Sequence, residues 1–123
     1  MDVMELQEKL GVDLPPQYQA VLNNFPTELR GPVELCELYS SAERVLSEND
    51  SARKQQIAGK PWPLHMIVVG GDGAGNLHVI DNRTEPAGIW LFLAESQSFS
   101  MIASSLSHWF PVLHQKAMSQ ANS

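Results

Sequence analysis

The chain is poor in cysteine and in long apolar runs. Cys36 is the only cysteine among 123 residues, which excludes an internal disulfide and a thiolate-built zinc site and is typical of a reducing compartment. The longest apolar run, residues 89–94, is far shorter than the ~20 residues of a membrane-spanning helix. Residues 1–8 carry acids where a secretory signal would carry a basic and then an apolar segment. We therefore expect no membrane span and a cytoplasmic location.

Basic residues are also scarce. The chain has 8 Lys and Arg residues against 14 Asp and Glu residues, a formal net charge of −6. The imbalance lies in residues 1–50, where ten acids face three bases, whereas residues 51–123 hold four acids and five bases. An acidic field repels a phosphate backbone, so we expect no direct nucleic-acid binding, and a basic protein partner suits this field better. The alternative is that the charge only keeps the protein soluble.

Groups arranged for catalysis or metal binding are missing as well. The sequence contains no Gly-x-Ser-x-Gly motif, and Cys36 has no obvious local base. The four histidines lack the spacing of a helical zinc site: His65, His78, His108 and His114. We therefore predict a protein that is not an enzyme and that has no metal and no cofactor.

Helical periodicity is clearest near the N-terminus. Apolar residues recur at helical spacing over residues 3–10, and Gly11 follows at a typical helix end. A second helix is predicted to start at Pro15 and Pro16 and to end before Pro26. Its apolar stripe comprises Tyr18, Val21, Leu22 and Phe25.

The central segment gives weaker signals. Residues 33–38 alternate imperfectly, which predicts a short edge strand. Ser40 and Glu43 have the spacing of a capping box, which predicts a third helix through Val45 and Leu46. The polar residues 47–60 are predicted to form a surface connection.

Period-two patterns follow. Residues 64–69 are apolar on both faces, as expected of a central strand, and residues 76–81 alternate. The glycine-rich residues 70–75 between them predict an antiparallel hairpin. This loop lacks the Gly-Lys-Ser/Thr ending and the following helix of a phosphate site, so we interpret it as a turn, with a small-molecule site as the alternative. Residues 88–93 predict another buried strand.

A last helix is predicted at the C-terminal end. Ser98 or Ser100 is expected to cap it, and Pro111 is expected to kink it or end it early. Its apolar stripe comprises Ile102, Leu106, Trp109, Phe110 and Leu113. Residues after about 117 are expected to fray. These patterns predict one α+β domain over residues 1–123.

Three segments carry a family resemblance. Residues 5–18, ELQEKLGVDLPPQY, are similar to an opening helix with a Leu-Pro step and an aromatic on the second helix. Residues 67–81, IVVGGDGAGNLHVID, look like a hairpin with a Gly-Asp-Gly-x-Gly-Asn/Asp turn, and residues 102–110, IASSLSHWF, are similar to a final helix. In this order they resemble the SUKH superfamily, which joins a fungal cell-wall regulator to many bacterial immunity proteins of toxin systems.

The resemblance implies a fold and a function. The implied fold is a largely antiparallel sheet flanked by N-terminal and C-terminal helices. The implied function is that of an immunity protein, which neutralises a cognate protein toxin, often a nuclease or deaminase, by binding and occluding it. The alternative is a regulatory adaptor of the same family without a toxin partner.

Seven residues are candidates for contact with a partner. We expect carboxylates of the acidic half to steer a basic toxin: Glu34, Glu37 and Glu43. Trp62 and Trp90 are candidate apolar anchors, although Trp62 is equally suited to cap the core. Asp72 and Asn76 of the glycine loop are further candidates, with a purely structural role as the alternative.

Overall fold

The computed structural model describes residues 1–57 and 59–121, and this part of the chain forms four α-helices, two shorter helical turns and six strands. The α-helices are α1 (Val3–Leu10), α2 (Pro16–Asn23), α3 (Ala42–Arg53) and α4 (Leu106–Ala121). A 3₁₀ turn (Thr27–Leu29) and a π-helical turn (Val33–Glu37) connect α2 to α3. The strands are β1 (Gln56–Ile57), β2 (Lys60–Pro61), β3 (Met66–Gly71), β4 (Leu77–Asp81), β5 (Ile89–Leu93) and β6 (Ser98–Ala103).

The first two helices form where the sequence predicts them. The Asp2 side chain accepts a hydrogen bond from the Glu5 backbone N–H (2.8 Å) and so caps α1. Gly11 ends α1 with a φ of 76°, a conformation that favours glycine. Pro16 stands in the first turn of α2, where its missing N–H costs nothing.

The strand predicted over residues 33–38 is wrong, because residues 33–37 form the π-helical turn. The Leu38 N–H donates to the Val33 carbonyl oxygen (3.0 Å), the five-residue spacing of a π-helix. The backbone becomes extended at Leu38, and the Tyr39 N–H then donates to the Val69 carbonyl oxygen on the outer side of β3 (2.8 Å). The segment therefore contacts the edge of the sheet through this backbone hydrogen bond and through the Cys36 thiol, which donates to the Gly71 carbonyl oxygen (3.6 Å), rather than as a strand.

Helix α3 differs from its prediction at both ends. Its N-cap is Ser41 rather than Ser40, since the Ser41 hydroxyl accepts from the Arg44 N–H (3.3 Å). The helix then continues to Arg53, through residues predicted to be a surface connection. The reason is Asn49, which is fully buried because its side chain bonds to the backbone of β3.

The main sheet is antiparallel, in the order β3-β4-β5-β6. The predicted β3–β4 hairpin is confirmed, with Gly73 and Gly75 at positive φ in its turn. The prediction that residues 64–69 form a central strand is wrong, since β3 lies at the edge. Both of its faces are nevertheless apolar, as predicted, and every residue of β3 is buried.

The last helix begins later than predicted. Residues 98–103 form β6, which pairs with β5, so neither Ser98 nor Ser100 caps a helix. Ser105 takes this role, because its hydroxyl accepts from the His108 N–H (3.2 Å). Pro111 lies inside α4 without ending it, and the helix continues to Ala121. Residues 122 and 123 of the segment expected to fray lie outside the described residues.

The predicted α+β class, with an antiparallel sheet flanked by N-terminal and C-terminal helices, is confirmed. Trp62 packs edge-on against Phe92 (5.0 Å between ring centroids) on the sheet, and Trp109 of α4 packs edge-on against His78 (4.8 Å).

Within residues 1–57 and 59–121, no helix has both the length and the apolar character that crossing a membrane requires. The single-domain organisation stays a prediction.

Candidate functional site

Glu34, a predicted contact residue, is engaged within the fold. Its carboxylate accepts hydrogen bonds from the Gly31 backbone N–H (2.8 Å), the Ser40 hydroxyl (3.0 Å) and the Arg30 guanidinium (3.2 Å). The Gly31 N–H is the main reason why the pKa of this carboxyl is lowered. Glu34 therefore connects the π-helical turn to the residues before and after it.

Glu37 is buried at the end of the same turn. Its carboxylate pairs with the Lys116 ammonium group of α4 (2.8 Å), and its carbonyl oxygen accepts from His78 Nδ1 (2.8 Å). A Cβ atom at Gly70, which pairs with His78 in the ladder, would overlap the Glu37 carbonyl group. Gly70 thus permits a close approach of two backbone segments rather than forming part of the turn. Burial lowers the pKa of His78, and the Glu37 carbonyl opposes this shift.

Glu43 lies on the surface, on the first turn of α3. Its carboxylate accepts from the N-terminal ammonium group of Met1 (3.2 Å) and from the Ser41 hydroxyl (3.2 Å). The Glu43 backbone N–H is the main reason why the pKa of this carboxyl is lowered, and the Met1 ammonium adds to it. Glu43 is 65% exposed, so it is accessible although paired.

Asp72 and Asn76 hold the hairpin turn together. The Asp72 carboxylate accepts from the backbone N–H groups of Ala74 (2.8 Å) and Asn76 (3.2 Å) and from the Asn76 side chain (2.8 Å). Burial raises the pKa of Asp72, but these hydrogen bonds outweigh it and the pKa is lowered. Asn76 Oδ1 accepts from the Ala94 N–H (3.1 Å), which joins the turn to the end of β5. These contacts show a structural role; a contact with a partner stays a prediction.

The two candidate tryptophans have different environments. Trp62 is 3% exposed and its Nε1 donates to the Met66 carbonyl oxygen (2.9 Å). The structure therefore supports the core-packing alternative for Trp62 and corrects the exposed-anchor alternative. Trp90 is half-buried on β5, opposite Met101 of β6.

The seven candidates do not form one surface site. Glu34 and Glu37 are each paired with a base within the fold, and Asp72 and Asn76 bond to each other in the hairpin turn. Glu43 is exposed on α3, Trp62 is buried and Trp90 is half-buried on β5. In the described part of the chain, no group of His, Cys, Asp and Glu side chains is suited to hold a metal ion.

A groove lies where α1 is followed by its connection to α2. Its deeper part has a volume of about 530 Å³ and its shallower part about 300 Å³. The two parts share the lining residues Gln7, Val12 and Asp13, so they adjoin each other. The turn after β4 also lines the deeper part, through Asn82, Thr84 and Glu85.

Amide side chains hold the shape of this groove. Gln7 Oε1 accepts from the Leu14 N–H (2.7 Å) and from Gln19 Nε2 (3.2 Å), and Gln19 Nε2 also donates to the Leu14 carbonyl oxygen (2.7 Å). Asn82 Nδ2 donates to the Asp13 carbonyl oxygen (3.0 Å). These bonds connect three separate segments, so the walls of the groove are preorganised.

Three carboxylates lie at this groove. Glu8, Asp13 and Glu85 are all exposed, and none of them makes an ion pair within residues 1–57 and 59–121. The groove-lining residues of the described chain include no Lys and no Arg. We call this surface the acidic groove; chemically it suits a cationic side chain.

Sequence reasoning missed the acidic groove. A partial signal was present, because Glu8 and Asp13 flank Gly11 in a stretch, residues 10–29, that contains no Lys or Arg. Glu85 gave no such signal, since more than seventy residues separate it from Asp13 along the chain. Only the fold brings the three carboxylates to one groove.

Comparison with known proteins gives one result. The model of the SMI1 / KNR4 family (SUKH-1) matches residues 2–111. Neither a curated protein nor a solved structure matches the chain significantly. The family match includes α1, the acidic groove and the β3–β4 hairpin, and it covers most of the chain. The chain therefore belongs to the SMI1 / KNR4 (SUKH-1) family.

Proposed function

We propose that the chain is a non-catalytic immunity protein of the cytoplasm, which neutralises a cognate bacterial toxin by binding it directly. Family membership supports a toxin-immunity type of domain in general. The observation that carries the finer proposal is the acidic groove, with three carboxylates and no counter-ion among its described residues. The toxin we propose presents basic side chains, as a nuclease-type domain does for its own substrate.

The charge arrangement favours such a partner for a physical reason. Glu34 and Glu37 already have cationic partners within the fold, so a toxin would have to displace Arg30 or Lys116 to reach them. The carboxylates of the acidic groove make no ion pair within residues 1–57 and 59–121, so this part of the chain holds no cation that a toxin would have to displace from them. A Lys or Arg side chain of the toxin can therefore pair with these carboxylates without first breaking an ion pair, and the negative field around them raises the association rate.

Neutralisation is tested first in the cell. The chain is co-expressed with the toxin encoded by the neighbouring gene, and both survival and co-elution of a complex are measured. We expect survival and a stable complex. Death of the cells together with the absence of a complex would sink the proposal, and recovery of envelope-synthesis or signalling proteins from native lysate would support the adaptor alternative instead.

The acidic groove is tested with two matched triple variants. One carries Glu8→Gln, Asp13→Asn and Glu85→Gln, and the control carries Glu28→Gln, Asp50→Asn and Glu95→Gln, three exposed acids that lie outside the groove. Both variants lose three negative charges. We expect the groove variant to weaken toxin binding about tenfold or more, with most of the loss in the association rate and with a smaller salt dependence.

The control separates a specific groove from general attraction. If both variants weaken binding equally, only the net charge matters and the groove is not the contact surface. If the groove variant binds as the unaltered chain does while the complex forms normally, the toxin docks elsewhere and the immunity function itself still stands.

A further inference from the structure

The outer strand β6 is left open, unlike the opposite edge of the sheet. At β3, Asn49 bonds to the outward N–H and carbonyl of Val68 (2.8 and 3.0 Å), and Tyr39 bonds to Val69 (2.8 Å). At the other edge, β6 pairs with β5 alone among the described residues. Backbone groups on the outer side of β6 are thus available to another strand.

Strand β6 also lacks the usual protection of an edge. Natural edge strands carry a charge, commonly Lys, or a Pro that discourages further pairing. Residues 98–103 contain neither, and no charged residue occurs anywhere from residue 96 to residue 115. Its single irregularity is Ile102, an extra residue relative to β5, which leaves residues 98–101 in regular register.

Apolar side chains are exposed at the same place. Met101 is 53% exposed and Ile102 is 40% exposed. A Cβ atom placed at Gly88 would lie 3.0 Å from the Met101 side chain and 3.3 Å from the Trp90 indole, so these two side chains are neighbours. Trp90, Met101 and Ile102 form an apolar patch beside an open strand, which we call the β6 patch.

We propose that the β6 patch is the contact surface of a homodimer, in which β6 pairs antiparallel with β6 of a second copy. All 14 acids of the chain lie at or before Glu95, and the net charge is −6, so two copies repel each other over their acidic surfaces. The β6 patch is free of this repulsion. A basic toxin, in contrast, gains no electrostatic attraction from an uncharged strand, whereas the acidic groove attracts it.

Antiparallel pairing suits a second copy on geometric grounds. A two-fold axis brings the same surface of both subunits together, and two antiparallel copies of one strand satisfy this symmetry. Residues 98–101 would extend the sheet from four strands to eight. Trp90 and Met101 of both copies would then cover each other on one face.

The oligomeric state of the purified chain tests this proposal without any toxin. Sedimentation velocity from low to high micromolar concentration should show a dimer that dissociates on dilution. Met101→Lys places a positive charge in the β6 patch of both copies, and we expect it to raise the dissociation constant of the dimer about tenfold or more. Met4→Lys is the matched control, because Met4 is 71% exposed on α1 and the charge change is the same.

A second measurement does not depend on a substitution. In hydrogen exchange, the amides of residues 98–101 should exchange more slowly at high protein concentration, while the amides of α1 should not change. A chain that stays monomeric at every concentration overturns the proposal. So does a dimer that Met101→Lys and Ile102→Lys leave intact, provided that circular dichroism shows both variants to be folded.

Discussion

The two edges of the four-stranded sheet differ in the contacts that cover them. The β3 edge is closed by Asn49, Tyr39 and the π-helical turn against Gly70, all through buried contacts. The β6 edge is open, uncharged and partly apolar, with Met101 53% exposed. We therefore expect stability to be concentrated at the β3 edge, because a buried hydrogen bond is costly to break whereas an exposed side chain is replaced at little cost.

The largest expected effect is at Gly70. Gly70→Ala would place a Cβ atom inside the Glu37 carbonyl group and force the π-helical turn away from β3. We expect the free energy of unfolding to fall by about 3 kcal/mol or more in urea denaturation. Gly88→Ala is the control near the other edge, because its Cβ would lie 3.0 Å from the flexible end of the Met101 side chain and 3.3 Å from the Trp90 indole nitrogen, and not inside a backbone carbonyl group. Equal losses in the two variants would contradict the comparison.

Asn49 comes next. Asn49→Ala leaves the outward N–H and carbonyl of Val68 without a partner in a buried place. We expect a loss of about 2–3 kcal/mol in the free energy of unfolding. Asn23→Ala, at an exposed position on α2, serves as the control and should stay within about 0.5 kcal/mol of the unaltered chain. A loss no larger than that of the control would show that the β3 edge is not closed by this side chain.

A pH dependence is expected from His78 on the β3 side. Burial lowers its pKa below the ordinary value of 6.5 in the folded chain. The unfolded chain therefore takes up a proton first, so stability is fully present above about pH 6.5 and is lost as the pH falls through the lower folded pKa. Glu37, Lys116 and Asp72 are the charged groups that act on this ring.

His78→Gln tests this sign. The variant has no group that titrates at this site, so its free energy of unfolding should change less between pH 7 and pH 5 than that of the unaltered chain. His114→Gln replaces an exposed histidine and should keep the original slope. A slope that His78→Gln leaves unchanged would assign the acid sensitivity to other groups.

The smallest effect on stability is expected at the β6 edge. Met101→Ser removes an exposed apolar side chain, and we expect the free energy of unfolding of the monomer to change by no more than about 0.5 kcal/mol. Thermal unfolding at low protein concentration measures it. A loss as large as that of Asn49→Ala would mean that β6 is as tightly held as β3.

Local patterns predicted those elements whose own residues decide the backbone conformation. Gly11 ends α1 at positive φ, Pro16 stands in the first turn of α2, and Gly73 and Gly75 turn the β3–β4 hairpin. In each case a single residue type favours one conformation regardless of distant contacts.

Prediction failed where distant partners decide. Residues 33–38 alternate as a strand would, yet residues 33–37 coil into a π-helical turn whose last carbonyl lies against Gly70 and His78. Asn49 looked like a loop residue because Asn is common in turns, but the edge of β3 supplies it with buried partners. Residues 98–103 form a strand because their backbone pairs with β5 in an antiparallel ladder.

Residue patterns were enough to predict the α+β class, the hairpin with its glycine turn and the family to which the chain belongs, and the acidic balance is a matter of composition. Only the fold shows which acids are paired. Glu34 and Glu37 have cationic partners, whereas Glu8, Asp13 and Glu85 lie around one groove and make no ion pair within residues 1–57 and 59–121. The physical reason is that the electrostatic role of a carboxylate depends on the distance to its neighbours, and the fold sets that distance.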